Sequence, residues 1–188
     1  MAEKSPMLEA IGIIELSSIA AGFKTADTML KSGNVQLLLS RTICSGKYMV
    51  LVTGETGDVD RSISAGRDAA DYALIDDFII PNVHEKVIPA IRGMSSVRDT
   101  EALGILESFS VASLIEAADA CVKAADVDLI EIRLAMALGG KAFTTMCGSL
   151  DDVNSAIEAG AAVIANKGLL VNKIVIPNPR EEVYREIL

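Results

Sequence analysis

Few side chains in this sequence are equipped for chemistry. It holds three cysteines, Cys44, Cys121 and Cys147, and one histidine, His84. An odd set of thiols with no Cys-x-x-Cys spacing argues against a disulfide framework or an intrachain zinc site, and points to a reducing compartment. Iron–sulfur clusters are usually held by four thiolates, often in that same spacing, and one chain does not supply them. Cys44 lies in Thr42-Ile43-Cys44-Ser45-Gly46-Lys47. It is either a small buried hydrophobe, the commoner role of a solitary cysteine, or an exposed thiol on a turn. Cys121 beside Val122 on a helix, and Cys147 before Gly148 in a strand, read as packing residues.

A general base would depend on His84. No nucleophile or partner carboxylate stands at a known spacing from it, so it reads as the surface start of a short helix. Asp76-Asp77 resembles a metal pair, but adjacent strand residues point to opposite faces, and a solvated turn is the expectation. Gly54-Glu55-Thr56-Gly57 lacks the lysine and third glycine of a phosphate loop. The chain is therefore not expected to be an enzyme.

Composition narrows the partners. The 188 residues carry a formal net charge of −9 with no basic run, whereas phosphate binding needs clustered Lys and Arg, so no nucleic acid is expected. No run of about 18 apolar residues occurs, so no membrane span is expected. Met1 to Leu8 lacks the basic-then-apolar layout of a leader. Trp is absent and aromatics make up 4%. The core must then come from Ala, Val, Ile, Leu and Met, with no aromatic platform for stacking bases or sugars.

The elements that position these residues occur twice. Ala10-Ile11-Gly12-Ile13-Ile14-Glu15 recurs as Ala102-Leu103-Gly104-Ile105-Leu106-Glu107, an offset of 92 residues from Gly12 to Gly104. At that offset Ala26-Asp27 matches Ala118-Asp119, Lys31 matches Lys123, Val35 matches Val127 and Arg41 matches Arg133. Two extra residues then enter the second copy, after which Gly46-Lys47 matches Gly140-Lys141 and Asp58-Val59 matches Asp152-Val153. Ile80-Pro81-Asn82 finally matches Ile176-Pro177-Asn178. The boundary falls in the polar stretch Ser95 to Asp99, giving domains 1–96 and 97–188.

Each copy opens with a short apolar strand, Glu9 to Leu16 in the first. Ile19, Phe23, Ala26 and Leu30 then fall at helical spacing, as do Val111, Ile115, Ala118 and Val122. Ser18 and Ser110 stand as N-caps. Val35 to Ile43 and Lys47 to Thr53 read as strands joined through Cys44-Ser45-Gly46, a hairpin or loop. Val59, Ile63, Gly66 and Ala70 give a second helix, with Val153, Ile157, Gly160 and Ile164 as its twin, capped by Ser149 and Asp152. Leu74 to Ile80 is a last strand, and His84 to Ile91 a tail helix matched by Arg180 to Ile187. The order β-α-β-β-α-β predicts an α+β chain of two tandem ferredoxin-like domains, antiparallel sheets covered by helices. Open sheet edges in such domains favour fusion and ring assembly.

These residues together resemble the bacterial microcompartment (BMC) shell-protein family, across nearly the whole chain. The marks are the two Gly12 and Gly104 strand motifs, Ala26-Asp27-Thr28-Met29-Leu30-Lys31 with Ala118-Asp119-Ala120-Cys121-Val122-Lys123, and the Ile-Pro-Asn close of each copy. Within that family the chain is similar to the tandem-domain, T-type shell proteins of propanediol-utilisation compartments. The resemblance implies a pseudo-hexameric homotrimer that tiles edge to edge with other shell proteins, in a cytoplasmic microcompartment shell.

It also implies site residues. Single-domain relatives usually carry Ile-Gly-Ser-Gly in the loop that lines the central pore, and Cys44 stands where the first of those glycines would be. In T-type proteins this cysteine is the implied ligand of an iron–sulfur cluster, of 4Fe–4S type, shared by three chains. Thr42, Ile43, Ser45 and Gly46 would shape the loop, and enclosed redox enzymes are the implied beneficiaries of electron transfer. Met136 aligns with Cys44, so only the first copy carries a thiol there. Lys31 and Lys123 read on their own as solvated lysines favouring helix C-termini; the resemblance places them along tile edges instead. Asn82 and Asn178 stand where the family's Pro-Arg-Pro-His edge motif carries its arginine. Two other readings stay open: a tile whose axis is an open metabolite pore without a cluster, and a ferredoxin-like ligand-binding protein or enzyme.

Overall fold

A computed structural model describes residues 10–96, 101–134, 140–185 and 187 of the chain. By contacts between residues the chain divides into two units, one ending at Val83 and one beginning at His84. The stretch from Ser95 to Asp99 runs partly outside the described residues.

The first unit contains β1 (Ala10–Leu16), α1 (Ile19–Ser32), β2 (Gln36–Ile43), a 3₁₀ turn (Cys44–Gly46), β3 (Lys47–Gly54), α2 (Thr56–Ala70), a second 3₁₀ turn (Asp71–Ala73) and β4 (Leu74–Pro81). The second contains α3 (Val87–Arg92), β5 (Ala102–Ser108), α4 (Val111–Ala124), β6 (Asp128–Arg133), β7 (Ala142–Gly148), α5 (Leu150–Ala165), β8 (Leu170–Pro177) and α6 (Glu181–Arg185). The sheets run β2-β3-β1-β4 and β6-β7-β5-β8. Every neighbouring pair is antiparallel. This is the split arrangement expected from the element order. Even the irregularities repeat: pairing shifts after Glu15 in one sheet and after Glu107 in the other.

The central strands β1 and β3 are buried nearly end to end, whereas β2 and β4 are only half covered. Helices α1 and α2 lie on the face carrying Ala10, Ile14, Leu16, Val50 and Val52. The repeated glycine of β1 has a packing cause. A Cβ on Gly12 would come within 2.6 Å of Ile63 and 2.8 Å of Val59 on α2. On Gly104 it would meet Val153 of α5 at 2.9 Å. The helix rests directly on the strand backbone at this point.

The expected N-caps form: Ser18 accepts from the Ala21 N–H, Ser110 from Ser113 and Ser149 from Asp152. Two expectations need correction. Asp76 and Asp77 lie inside β4 and not in a turn, and the Arg67 Nε of α2 donates to Asp77 at 2.6 Å. The apolar stripe of α1 is also displaced. Its sheet-facing residues are Gly22, Thr25, Ala26 and Met29, while Ile19, Phe23 and Leu30 are exposed. The Tyr48 ring fills the space beside Gly22, and the Phe23 ring packs against it with centroids 5.1 Å apart.

Candidate functional site

The loop singled out by its cysteine is a hairpin connection. Strands β2 and β3 pair from Gln36↔Thr53 down to Ile43↔Lys47, and the three residues between form a single 3₁₀ turn. Ile43 is buried and anchors the turn from below, while Thr42 on the other face and Gly46 are exposed. Gly46 adopts φ 71°, a left-handed conformation that favours glycine, and nothing approaches its missing Cβ within 4 Å. The backbone is thus open where a ligand or another chain would have to come close. Cys44, at the start of the turn, is half-buried.

The base of the loop is held by an ion pair that sequence reading did not identify. Lys47 directly follows the turn, and its Nζ donates to Glu15 Oε1 at 2.8 Å. Glu15 is buried near the end of β1, so the lysine supplies the charge that its carboxylate needs there. The second unit repeats the pair, Lys141 with Glu107, at 3.5 Å. The signal was present: all four residues fall inside matched segments of the two copies. Residues 135–139, with Met136 and most of the longer second loop, lie outside the described residues.

The other two thiols are structural. Cys121 Sγ sits so close to α5 that a Cβ on Gly160 would lie 2.4 Å from it, and burial pushes its thiol up to about 12. Cys147 is fully buried, its thiol directed to the Asp128 carbonyl at 3.8 Å. Among the described residues no group of three or more His, Cys, Asp or Glu side chains could hold a metal ion. The donor set for any cluster is therefore one partly accessible thiol per chain. That fits a cluster only if several copies each contribute Cys44.

The remaining candidates lie apart from this loop in the chain. Lys31 and Lys123 occupy the last turns of α1 and α4, each bonded at 2.5 Å to the aspartate four residues earlier, Asp27 and Asp119. Asn82 and Asn178 follow β4 and β8 with φ 52° and 44°, and both are exposed. Asn tolerates this left-handed geometry better than most residues, which explains why the close of each copy keeps it. His84 begins the turn into α3: its N–H donates to Asp119 Oδ1 at 2.8 Å and its Nδ1 accepts from the Lys86 N–H at 3.2 Å. It borders a cleft of about 640 Å³ in the second unit. Lys86, also lining that cleft, is committed to Asp128 Oδ1 and the Val127 carbonyl, both at 2.8 Å. No helix among the described residues is long and apolar enough to cross a membrane.

Comparison with known proteins agrees with this architecture. A family model described as the BMC domain matches twice, over residues 10–83 and 102–179. The bacterial microcompartment shell protein PduT of Citrobacter freundii is 44% identical over 182 residues, covering 97% of this chain and 99% of that protein. The carboxysome assembly protein CcmO of a Synechococcus strain is 30% identical over 185 residues, covering 92% of this chain and 66% of its own length. Among solved structures, a microcompartments protein from Desulfitobacterium hafniense DCB superposes with a TM-score of 0.90 at 45% identity, covering 95% of this chain and 99% of that one. A fused permuted hexameric shell protein of the RMM microcompartment matches in fold, with a TM-score of 0.61 at 24% identity over 84% of this chain and 82% of its own.

Proposed function

The chain belongs to the BMC-domain family of bacterial microcompartment shell proteins, and from that premise we propose that three copies form a pseudo-hexagonal shell tile with a metal centre on its axis. The tile joins other shell proteins edge to edge, in the shell of a propanediol-utilisation type of compartment, with Lys31, Lys123, Asn82 and Asn178 along its edges. Its role is structural, not catalytic. Cys44 from each of the three copies holds a 4Fe–4S cluster. A bound cluster would supply one-electron transfer across the shell, to the benefit of enclosed redox enzymes.

One observation carries the reading: Cys44 is the partly accessible thiol, on a tight turn with open backbone at Gly46, whereas Cys121 and Cys147 are buried packing groups. This chain's own residues do the positioning. Ile43 and the Lys47–Glu15 pair fix the turn at both ends, and Gly46 lets the backbone approach a symmetry axis. The test is purification without oxygen, followed by iron and sulfide analysis and electron paramagnetic resonance. The wild type should carry the cluster at one per three chains, and Cys44→Ser should lose it while keeping its assembly. An iron-free, colourless wild type would instead favour an open pore at which Ser45 and Gly46 meet passing metabolites. That reading draws on the same open turn and on the absence of a complete ligand set among the described residues.

A further inference from the structure

Matched positions of the two units differ sharply in exposure. On α4, Ile115 is 0% exposed and Val111 and Val122 are buried; on α1, the matching Phe23 is 65% exposed and Ile19 and Leu30 are also open. On β6, Leu129 is 2% exposed, against 41% for Leu37 on β2. In the second unit α3 packs on β6 and α4. That segment brings fully buried Val87, the His84 N–H on Asp119, and Lys86 on Asp128 and Asp126.

The sequence repeats the covering segment. At the offset of 96 residues that takes Ile80 to Ile176, His84 becomes Arg180, Lys86 becomes Glu182 and Val87 becomes Val183. Val183 on α6 is 43% exposed, and the side chains of Arg180 and Glu182 are open to solvent. The acceptor matching Asp119 is Asp27, also open, which holds Lys31. Thus α6, held to its own unit through Tyr184, presents Val183 uncovered, and a bed without its cover occurs in the same chain.

We propose that α6 and the turn before it dock on α1 and β2 of a second copy of this chain, head to tail, as α3 docks on α4 and β6. The Arg180 N–H takes the Asp27 carboxylate in the manner of His84 and Asp119, and its guanidinium adds a charge to that contact. Val183 covers the apolar surface of Phe23 and Leu37. The charges have changed together on the two beds. Lys86 faces Asp126 and Asp128, whereas their counterparts are Asn34 and Gln36, so Glu182 meets amides and no carboxylate. Such a heterologous contact repeats from copy to copy and closes into a ring. This inference rests on the ring proposed above and names the residues that close it.

The test uses the full chain and native mass spectrometry, with Phe23→Glu and Val183→Glu as variants. Both positions are exposed, and circular dichroism checks that each variant keeps its fold. Each variant alone should dissociate, its contact weakened roughly a hundredfold. Mixed, each supplies the half the other lacks, and the mixture should give heterodimers and nothing larger. Asp27→Arg and Arg180→Asp should each dissociate the assembly alone, and together in one chain they should restore it. A wild-type ring that both Phe23→Glu and Val183→Glu leave intact would overturn this docking while sparing the ring itself. A monomeric wild type would overturn both, leaving the face to another shell protein.

Discussion

Cys44 and Cys121 carry the same group into opposite surroundings. Burial beside Gly160 keeps the Cys121 thiol protonated at neutral pH, and Cys147 is sealed in β7, while Cys44 is partly open on its turn. In metal-free native protein, a thiol reagent should therefore modify one of the three cysteines per chain quickly, and none quickly in Cys44→Ser. Full reaction of all three should require denaturant. Below the loop, Lys47→Met strands the buried Glu15 carboxylate. Because Lys47 is itself about one-third exposed, the loss should be modest, about 1–2 kcal/mol in urea unfolding. Asp58 supplies a pH dependence. The Asn34 N–H, and secondarily Arg61, hold its carboxyl below the ordinary value. A lowered carboxyl stabilises the fold above the unfolded value of about 3.9, and that contribution disappears as pH falls through the folded one. Acid unfolding of Asp58→Asn should accordingly show a shallower loss of stability over that range.

The helices and strands follow local rules wherever a cap or a close contact decides them. Ser18, Ser110 and Ser149 each satisfy a first-turn N–H, and replacing any of them with Ala should lower stability by about 1 kcal/mol in chemical denaturation. Gly12 and Gly104 act between elements. Adding a methyl group there forces α2 or α5 away from the sheet, so Gly12→Ala and Gly104→Ala should each cost about 1–3 kcal/mol, although Ala suits a strand no worse than Gly. Alternation and helical spacing made every element legible, and their bounds moved by only a few residues. The first tail helix runs Val87–Arg92, and the second is described over Glu181–Arg185. Before the first of these, the His84 N–H goes to Asp119 while its carbonyl accepts from the Val87 N–H, a single turn leading into the helix.

At the scale of the molecule, the repeat makes two similar units that are unequally finished. The apolar surface left on α1 and β2 has a counterpart that is covered in the second unit, and the chain holds a second copy of the covering segment. If assembly closes that surface, unfolding is linked to association, and the thermal midpoint should rise with protein concentration for the wild type. Phe23→Glu should remove that dependence in calorimetry run over a wide dilution series.

The residues alone determined the duplication, which is a likeness between segments 92 residues apart, and also the order of strands and helices, the capping serines and the turn that carries Cys44, because each of these depends on neighbours a few positions away. Tertiary structure decided the rest. Only the fold shows that the Tyr48 ring fills the space beside Gly22, that Asp77 joins Arg67 from inside a strand, and that Glu15 finds Lys47 across 32 positions. Spacing tells which side chains share a stripe. Which stripe is buried depends on the shapes that meet across it, and those are brought together only when the chain folds.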